Sequence, residues 1–467
     1  MSLRLRVVVF IVGLAVMAVE LTAVRLLAPH FGTSLFVWTN VIAVVLVALA
    51  AGYGLGGRWA DRLPVEDVPT ALYRCVFGAG LWIVLLPAAI DPLTAAARFL
   101  QPGGSVVIPS LFVAAFLFGA PVFAAGLVTP LAARSAVRDA AHVGRPLGGL
   151  FVLSTLGSLA GTFLPVFATI PYAGVRATFW IVGGLMLVAG AAGGRRRFLV
   201  LALVLALIAW SEHQRTKNAS VLWEGDSVYQ HLRVFQNFDG SRFLQVNEGR
   251  GMQSYFRPDT VWTGYYWDTA AIPPRLQPGG RNYLFLGLGG GTAARIVHES
   301  FPDVSLDGVE IDPKMVEAGR RFFGLEAAPV AVSIADARVF LEATEKVYDY
   351  VMLDVYRDNR SIPAHLATRE FFELVRNRLT PKGILLMNVS TAEKGRELLG
   401  LIRNTLASVF PKVYQLQGPA GAVLLFGFRE EPSTVPSGMA PVIYDATGET
   451  ATDDRSRAEI LAAQAVQ

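Results

Sequence analysis

The first 210 residues are built from long apolar segments with no lysine and few carboxylates, and this feature constrains the chain most. A helix needs about 20 mostly apolar residues to cross a hydrocarbon core. Candidate spans fall at roughly 5–28, 35–57, 70–90, 106–131, 147–170, 177–193 and 198–210. The first is not a cleaved leader: it has no small-residue cleavage site after a short apolar core, and it runs on past Glu20. The last offers thirteen apolar residues, Phe198–Trp210. As a helix these rise only about 20 Å, so the segment either spans while Arg195, Arg196 and Arg197 snorkel, or lies in the interface.

Charge divides the chain in the same place. Fourteen arginines face six carboxylates in residues 1–210, a net of +8, while the remainder carries 27 basic and 31 acidic side chains, a net of −4. A slightly acidic second half is the wrong electrostatics for nucleic acid, which asks for a basic stripe. With 53% hydrophobic and 17% charged residues the chain is not disordered, and a single cysteine, Cys75, excludes a disulfide scaffold. Arg4, Arg6, Arg58, Arg62, Arg134, Arg138, Arg145 and Arg195–Arg197 fall on the N-terminal side of the spans, against Arg98 and Arg176 opposite. That bias places the N-terminus in the cytoplasm. Seven spans then put the second half outside, and six, with an interfacial seventh segment, put it inside.

Three features of the apolar half bear on function. Glu20 and Arg25 lie within the first span, where charge is costly; they read either as functional or as a snorkelling arginine and a glutamate satisfied by a neighbouring helix. Gly57-Arg58-Trp59-Ala60-Asp61-Arg62 resembles a loop of major-facilitator transporters and reads equally well as a solvated turn. Ser154, Gly157, Ser158 and Gly161 form a small-residue stripe that reads as helix packing.

After residue 211 the pattern changes. Residues 219–256 read as β-hairpins, with a strand Val228–Phe235, a turn at Asp239-Gly240 and a strand Arg242–Asn247. From residue 282 strands and helices alternate: strands at Tyr283–Leu288, Ser305–Ile311, Val330–Ile334, Tyr348–Val355 and Ile384–Val389, then two closing strands at 412–417 and 422–428. This alternation specifies a Rossmann-like α/β fold, a mostly parallel sheet with helices on both faces. The expected domains are 1–212 in the membrane, a small β-hairpin domain 219–256, an α/β domain 257–430, and a loosely ordered tail 431–467 rich in Pro, Ser, Thr and Asp.

The chemistry sits at strand ends. Leu286-Gly287-Leu288-Gly289-Gly290-Gly291-Thr292-Ala293 directly follows an apolar strand, where glycines let the chain turn and let a ligand approach a helix N-terminus. Glu310 closes the next strand in Val-Glu-Ile-Asp, where an acid reaches both hydroxyls of a ribose. Asp336-Ala337 follows the third strand, where a carboxylate accepts from an adenine amino group. In that order the three specify an adenosyl ligand. A dinucleotide loop wants glycine at Thr292, which makes nicotinamide or flavin the weaker choice.

Residues of about 220–430 resemble the spermidine synthase (polyamine aminopropyltransferase) family, in the version fused to a multi-pass membrane domain. The likeness runs through Tyr229-Gln230, Gln253, the Gly289-Gly290-Gly291 loop, Val309-Glu310-Ile311-Asp312, Asp336-Ala337 and Tyr348-Asp349-Tyr350-Val351-Met352-Leu353-Asp354. It continues through Ile362-Pro363-Ala364-His365-Leu366-Ala367-Thr368-Arg369-Glu370-Phe371-Phe372 and Leu379-Thr380-Pro381-Lys382-Gly383. The resemblance implies that Gln230 contacts the sulfonium end of the nucleoside, Glu310 the ribose and Asp336 the adenine. It implies that Asp354 orients and deprotonates the attacking amine, that Tyr265 or Tyr266 closes over that amine, and that Gln253 lies on the substrate side. The family's paired acids ahead of the tyrosine are missing, and two further positions depart from the family pattern. Thr292 replaces an aspartate that holds an ammonium group, and Arg357 replaces a second acid, with Asp358 following. Trading carboxylates for Thr and Arg weakens the hold on a dication, and Arg357 would suit the carboxylate of intact S-adenosylmethionine.

The leading expectation is therefore a membrane-anchored transferase releasing methylthioadenosine, with S-adenosylmethionine or its decarboxylated form as substrate, a small-molecule amine as acceptor, no metal, and a homodimer in the lipid bilayer. Methyl transfer and lyase-type breakdown of S-adenosylmethionine are the enzymatic alternatives. A sensing module that regulates a transporter-like membrane half is the non-enzymatic one. Because the ligand is made in the cytoplasm, the soluble half is expected there.

Overall fold

The computed structural model describes residues 2–31, 35–97, 107–137, 143–191, 221–247, 251–356, 362–390, 396–432 and 438–456, with Leu203, Val435, Ala458 and Leu461. Apart from Leu203, the segment Phe198–Trp210 lies outside the described residues, as do Arg357 and Asp358. The chain forms two units: Met1–Asn218 with Asp226–Gln230, and Ala219–Gly225 with His231–Gln467.

The first unit is helical: α1 Leu3–Phe31, α2 Leu35–Arg62, α3 Val68–Ala97, α4 Val107–Ala136, α5 Gly144–Leu164 and α6 Val175–Ala191. α5 continues to Ala173 through one widened turn, Pro165–Thr169, in which the Ile170 amide reaches back to the Pro165 carbonyl. Among the described residues five helices are long and apolar enough to cross a membrane, and α6, with 17 residues, is shorter than that. The small-residue stripe does pack helices. A Cβ added at Gly157 would lie 2.0 Å from the Phe10 carbonyl oxygen, and one at Gly161 2.1 Å from that of Leu14. From the other side, a Cβ at Gly13 would lie 2.3 Å from the Ser154 carbonyl oxygen, to which backbone α1 is closely pressed. Small residues are what let helix backbones approach this closely. Asn40 adds a buried polar link, donating at 2.9 Å to Ser110 Oγ and to the Val107 carbonyl. Arg25 donates to the carbonyls of Val228 and Tyr229, in the stretch Asp226–Gln230 that groups with the helices. Gly57–Arg62 is neither loop nor turn but the last part of helix α2, where Asp61 pairs with Arg134 at 3.4 Å.

The second unit holds two sheets. The smaller has the order β1 Val221–Asp226, β2 His231–Gln236, β3 Arg242–Val246 and β4 Met252–Phe256. Its second strand starts at His231 rather than Val228, because Ser227 Oγ accepts from the amides of Tyr229 and Gln230 and closes a turn there. Leu232, Val234, Leu244 and Val246 point inward onto Met315, Ala318 and Phe323, so the hairpins are seated on helix Pro313–Phe322.

The larger sheet has eight strands: β5 Asn282–Leu286, β6 Ser305–Glu310, β7 Val330–Ile334, β8 Tyr348–Leu353, β9 Leu379–Ser390, β10 Lys412–Gln417, β11 Ala422–Phe428 and β12 Ala440–Val442. Their order is β12-β10-β11-β9-β8-β5-β6-β7. β9, β8, β5, β6 and β7 run parallel, and β11, β10 and β12 are added antiparallel. The helices between strands are α7 Thr292–Ser300, α8 Pro313–Phe322, α9 Ala337–Ala343, α10 Arg369–Asn377 and α11 Arg396–Ala407. β11 reads as an unbroken apolar run, and β8 as one interrupted only by Asp349, because strands covered on both faces have no solvent side. Tyr283, Tyr348 and Tyr350 are fully buried among them, and each hydroxyl finds an acceptor: the Ala270 carbonyl, Asp307 and the Gln277 carbonyl. β9 begins five residues before the expected Ile384, with a register break near Tyr348/Tyr350 that accommodates Pro381, which has no amide to donate.

From β5 the chain winds outward through β6 to β7, then returns to β5's other side as β8. The crevice at such a reversal, outside the carboxyl ends of the strands, is where open α/β sheets bind ligands.

The loosely ordered tail is corrected by the structure. β12 pairs with β10, Ala451 and Ala458 are buried in the core, and Leu461 joins them. Small alanines that fill a core late in the chain leave no apolar period to read.

Candidate active site

The glycine loop opens at the end of β5. Gly287, Gly289 and Gly291 all take positive φ, 84°, 58° and 88°, a conformation that costs glycine nothing. Gly291 caps α7, and the Gly287 and Leu288 amides both bond the Val309 carbonyl at 3.0 Å, fastening the loop to β6. The approach is close: a Cβ at Gly287 would stand 2.3 Å from the Asp354 carbonyl oxygen. The loop therefore brings the ends of β5 and β8 together.

Glu310 ends β6, only 8% exposed. Its Oε2 accepts from the Gly289 amide at 2.9 Å and its Oε1 from the Asp312 amide at 3.1 Å. Burial pushes its carboxyl up to about 7, against these two bonds. A carboxylate has lone pairs beyond two amide bonds, so it still has capacity for a ligand's hydroxyls. Asp336 caps α9, taking the amides of Arg338 at 2.8 Å and Val339 at 3.3 Å on one oxygen and His365 Nε2 at 2.9 Å on the other. Burial opposes its ionisation, but the His365 bond and the two amides hold its carboxyl below the usual range. Ala337 is buried beside it.

Asp354 follows β8, partly buried. Tyr266 donates its hydroxyl to Oδ2 at 2.8 Å, and Asn388 on β9 donates Nδ2 to Oδ1 at 3.1 Å. Burial pushes the carboxyl up to about 6 while the two donors pull it down. Such a group is ionised at neutral pH and still basic enough to take a proton. The same burial, together with the neighbouring Asp354 charge, raises the Tyr266 phenol well above its ordinary value, so it remains a donor. Tyr266 is set in place by the loop before it: Asp268 accepts from the Thr263 amide and hydroxyl and from the Gly264 amide at 2.7–2.9 Å. Tyr265 instead packs edge-on between Tyr255 and Trp267, at 5.4 and 5.9 Å, and bonds nothing acidic among the described contacts. Of the two tyrosines it is Tyr266 that meets Asp354.

β4 is stitched to the glycine loop at two points. Ser254 Oγ accepts from the Gly290 amide at 2.6 Å. Thr292 Oγ1 donates to the Tyr255 carbonyl and accepts from the Tyr255 amide, each at 3.0 Å. The departure at position 292 thus has a structural use: the hydroxyl is spent on a strand backbone. Gln253 precedes this seam, its carbonyl accepting from Ser254 Oγ and lying against Gly289.

Residues 265–419 match the family described as the spermine/spermidine synthase domain. This part of the chain is a spermine/spermidine synthase domain. A protein of Bifidobacterium longum named "Probable polyamine aminopropyl transferase" is 35% identical over 192 residues, 41% of this chain and 42% of that one. The chain thus spans less than half the length of this relative. A polyamine aminopropyltransferase of Oceanobacillus iheyensis is 25% identical over 412 residues, 79% of this chain and 74% of its own, a stretch too long to lie in the synthase domain alone. Among solved structures, a spermidine synthase in complex with the transition-state analogue AdoDATO is similar at a TM-score of 0.40 and 19% identity, covering 48% of this chain and 82% of that one.

Within the synthase domain and the strands just before it, the structure brings together Gly287, Gly289, Gly290, Gly291, Glu310 and Asp354 with Tyr266, and sets Asp336 at the next strand's end. Gln230 falls in the turn Asp226–Gln230 of the first unit. Among the described residues no group of three or more His, Cys, Asp and Glu is placed to hold a metal ion. Four residues of the domain's site escaped the sequence reading: Ser254, Asp268, His365 as a partner of Asp336, and Asn388. Only Asp268 had a local signal, the Thr-Gly pair whose free amides invite a nearby carboxylate.

Proposed function

We propose that the chain is a membrane-anchored aminopropyltransferase that moves the aminopropyl group of decarboxylated S-adenosylmethionine to an amine and releases methylthioadenosine. The observation that carries the reading is Asp354: a carboxylate at the reversal point of the sheet, raised to about 6 and held by Tyr266 and Asn388. The reaction needs an amine nitrogen in line with the sulfonium-bound carbon. The C–N bond forms as the C–S bond breaks, its electrons returning to sulfur, and Asp354 takes the proton lost by the amine. Glu310 holds the ribose and Asp336 the adenine, while Tyr266 fixes the carboxylate that faces the acceptor. Gln230, at the sulfonium end, and Gln253, on the substrate side, are assigned on the family resemblance. Arg357, which departs from the family's acid there, and the following Asp358 are assigned to the substrate by their charge, and the protein is proposed to work as a homodimer. The names of the relatives support the transferase reading, and they favour it over methyl transfer, lyase chemistry and sensing.

The test is product analysis on the full-length protein in detergent. Decarboxylated S-adenosylmethionine with a panel of amines should yield methylthioadenosine, and Asp354→Asn should keep nucleoside binding while slowing turnover by roughly a hundredfold, the scale of a positioned general base. S-adenosylhomocysteine as the product from intact S-adenosylmethionine would replace this reading with methyl transfer.

The apolar helices support residence in the cell membrane with 1–212 as the spanning part, and the cytoplasmic origin of the ligand supports a catalytic half facing inward. A cysteine placed at Ser220, with Cys75 replaced, should resist a membrane-impermeant thiol reagent in intact cells. Labelling without permeabilisation would put that half outside.

A further inference from the structure

The tail beyond β12 is tied down one residue after another. Asn404 Nδ2 donates to the carbonyls of Asp445 and Glu449 at 3.0 and 3.1 Å, and its Oδ1 accepts from the Asp445 amide at 2.8 Å. The Ala451 amide bonds Thr405 Oγ1, and its carbonyl accepts from the Arg369 amide, both at 2.9 Å. These anchors deliver Asp453 to a fixed place. There its Oδ1 accepts from Arg338 Nη1 at 2.7 Å and from Thr368 Oγ1 at 2.8 Å, and its Oδ2 accepts from Arg338 Nη2 at 2.5 Å. The Asp453 amide donates to Glu370 at 3.0 Å.

Arg338 stands two residues after Asp336, whose carboxylate accepts the Arg338 amide itself. A guanidinium on so short a tether, if unheld, reaches back to that carboxylate and matches it with two donors. The fork is instead engaged by Asp453, with Nε on Glu342 at 3.3 Å and a long contact to the His365 carbonyl at 3.4 Å. Asp336 is left with its two helix amides and His365.

We propose that Asp453 is a positioning residue of the adenine edge: by taking both terminal nitrogens of Arg338 it keeps that cation off Asp336, whose Oδ2, already bonded to His365, keeps its second lone pair for an amino group of the ligand. The inference rests on the reading of Asp336 as the adenine acid. It makes the C-terminal tail, although remote in sequence, part of the affinity for the nucleoside.

Methylthioadenosine titrated calorimetrically into the full-length protein in detergent tests this. Wild-type protein that binds no methylthioadenosine would bring down the functional reading itself. If it binds, Asp453→Ala is expected to weaken binding by roughly tenfold at low salt, and less at high salt, because a partly exposed charge pair is screened. The double variant Asp453→Ala/Arg338→Gln is expected to bind within about threefold of wild type, since removing the competing guanidinium removes the fault. A tail with a merely structural role would give no such rescue. Asp453→Asn, which keeps the volume and can still accept from Thr368, is measured in parallel with the unfolding midpoint of each sample. It decides the matter if the alanine variant is misfolded. Unchanged affinity in Asp453→Ala and Asp453→Asn, or a double variant no better than the single, overturns the proposal.

Discussion

Replacing Asn388 with leucine removes one of the two donors on Asp354 and leaves Tyr266 in place. Asn388 is 4% exposed, and its Oδ1 has no hydrogen-bond partner among the described residues, so leucine of similar size sheds that acceptor along with the donor. Burial raises the Asp354 carboxyl and the two donors restrain it at about 6. A hydrogen bond to a charged group is worth about 1.5–3 kcal/mol, which at about 1.4 kcal/mol per pH unit moves the carboxyl up by about 1–2 units. The base works only when ionised, so the wild-type rate should fall as pH drops through about 6. In Asn388→Leu it should fall already through about 7–8. The two rates should converge within a few fold near pH 9, and differ by roughly tenfold near pH 6. The assay is the initial rate of methylthioadenosine release under kcat/KM conditions across that range. Ionisation of the acceptor amine adds the same slope to both profiles, so their separation is the quantity to read. Superimposed acid limbs would refute the argument that Asn388 sets the proton affinity of Asp354, and an equal loss at every pH would show that only geometry was damaged.

Two further outcomes follow from the same contacts. Nucleoside affinity should fall as pH drops through about 7, because Glu310 must be ionised to accept the ribose hydroxyls beside its two amides; Glu310→Ala should abolish binding, and calorimetry at several pH values would expose a flat wild-type profile. Thr292→Val leaves both the amide and the carbonyl of Tyr255 without this partner and should lower stability by about 1–3 kcal/mol, read as a drop in the unfolding midpoint; an unchanged midpoint would mean the seam between β4 and the glycine loop holds without it.

What could be read from the sequence divides along a physical line. The glycine loop, Glu310, Asp336 and Asp354 are legible because each stands at the carboxyl end of a strand, and strand ends are fixed by local apolar runs. Ser254, Asn388 and the Thr292 hydroxyl act across the fold, on partners 34 to 37 positions away, and no spacing rule encodes such a meeting. Tyr265 and Tyr266 are indistinguishable as letters; the Thr263–Asp268 turn, which aims one at Asp354 and the other at Trp267, separates them. The tail misled because its Pro, Ser, Thr and Asp content signals a loop, whereas its order comes from Asn404, Thr405 and three buried apolar residues.

The contact between α1 and α5 carries a consequence for how the helical unit is made. With Gly157 and Gly161 against the carbonyls of Phe10 and Leu14, and Gly13 against that of Ser154, the two backbones leave no room for a methyl group or a lipid chain between them. α1 is the first helix to be synthesised and α5 the fifth. The face of α1 that carries Phe10, Gly13 and Leu14 must therefore wait for this partner until residue 161 has been made. The α1–α5 contact belongs to the late part of synthesis, and a nascent chain halted before Gly144 holds an α1 to which this partner has not yet been added.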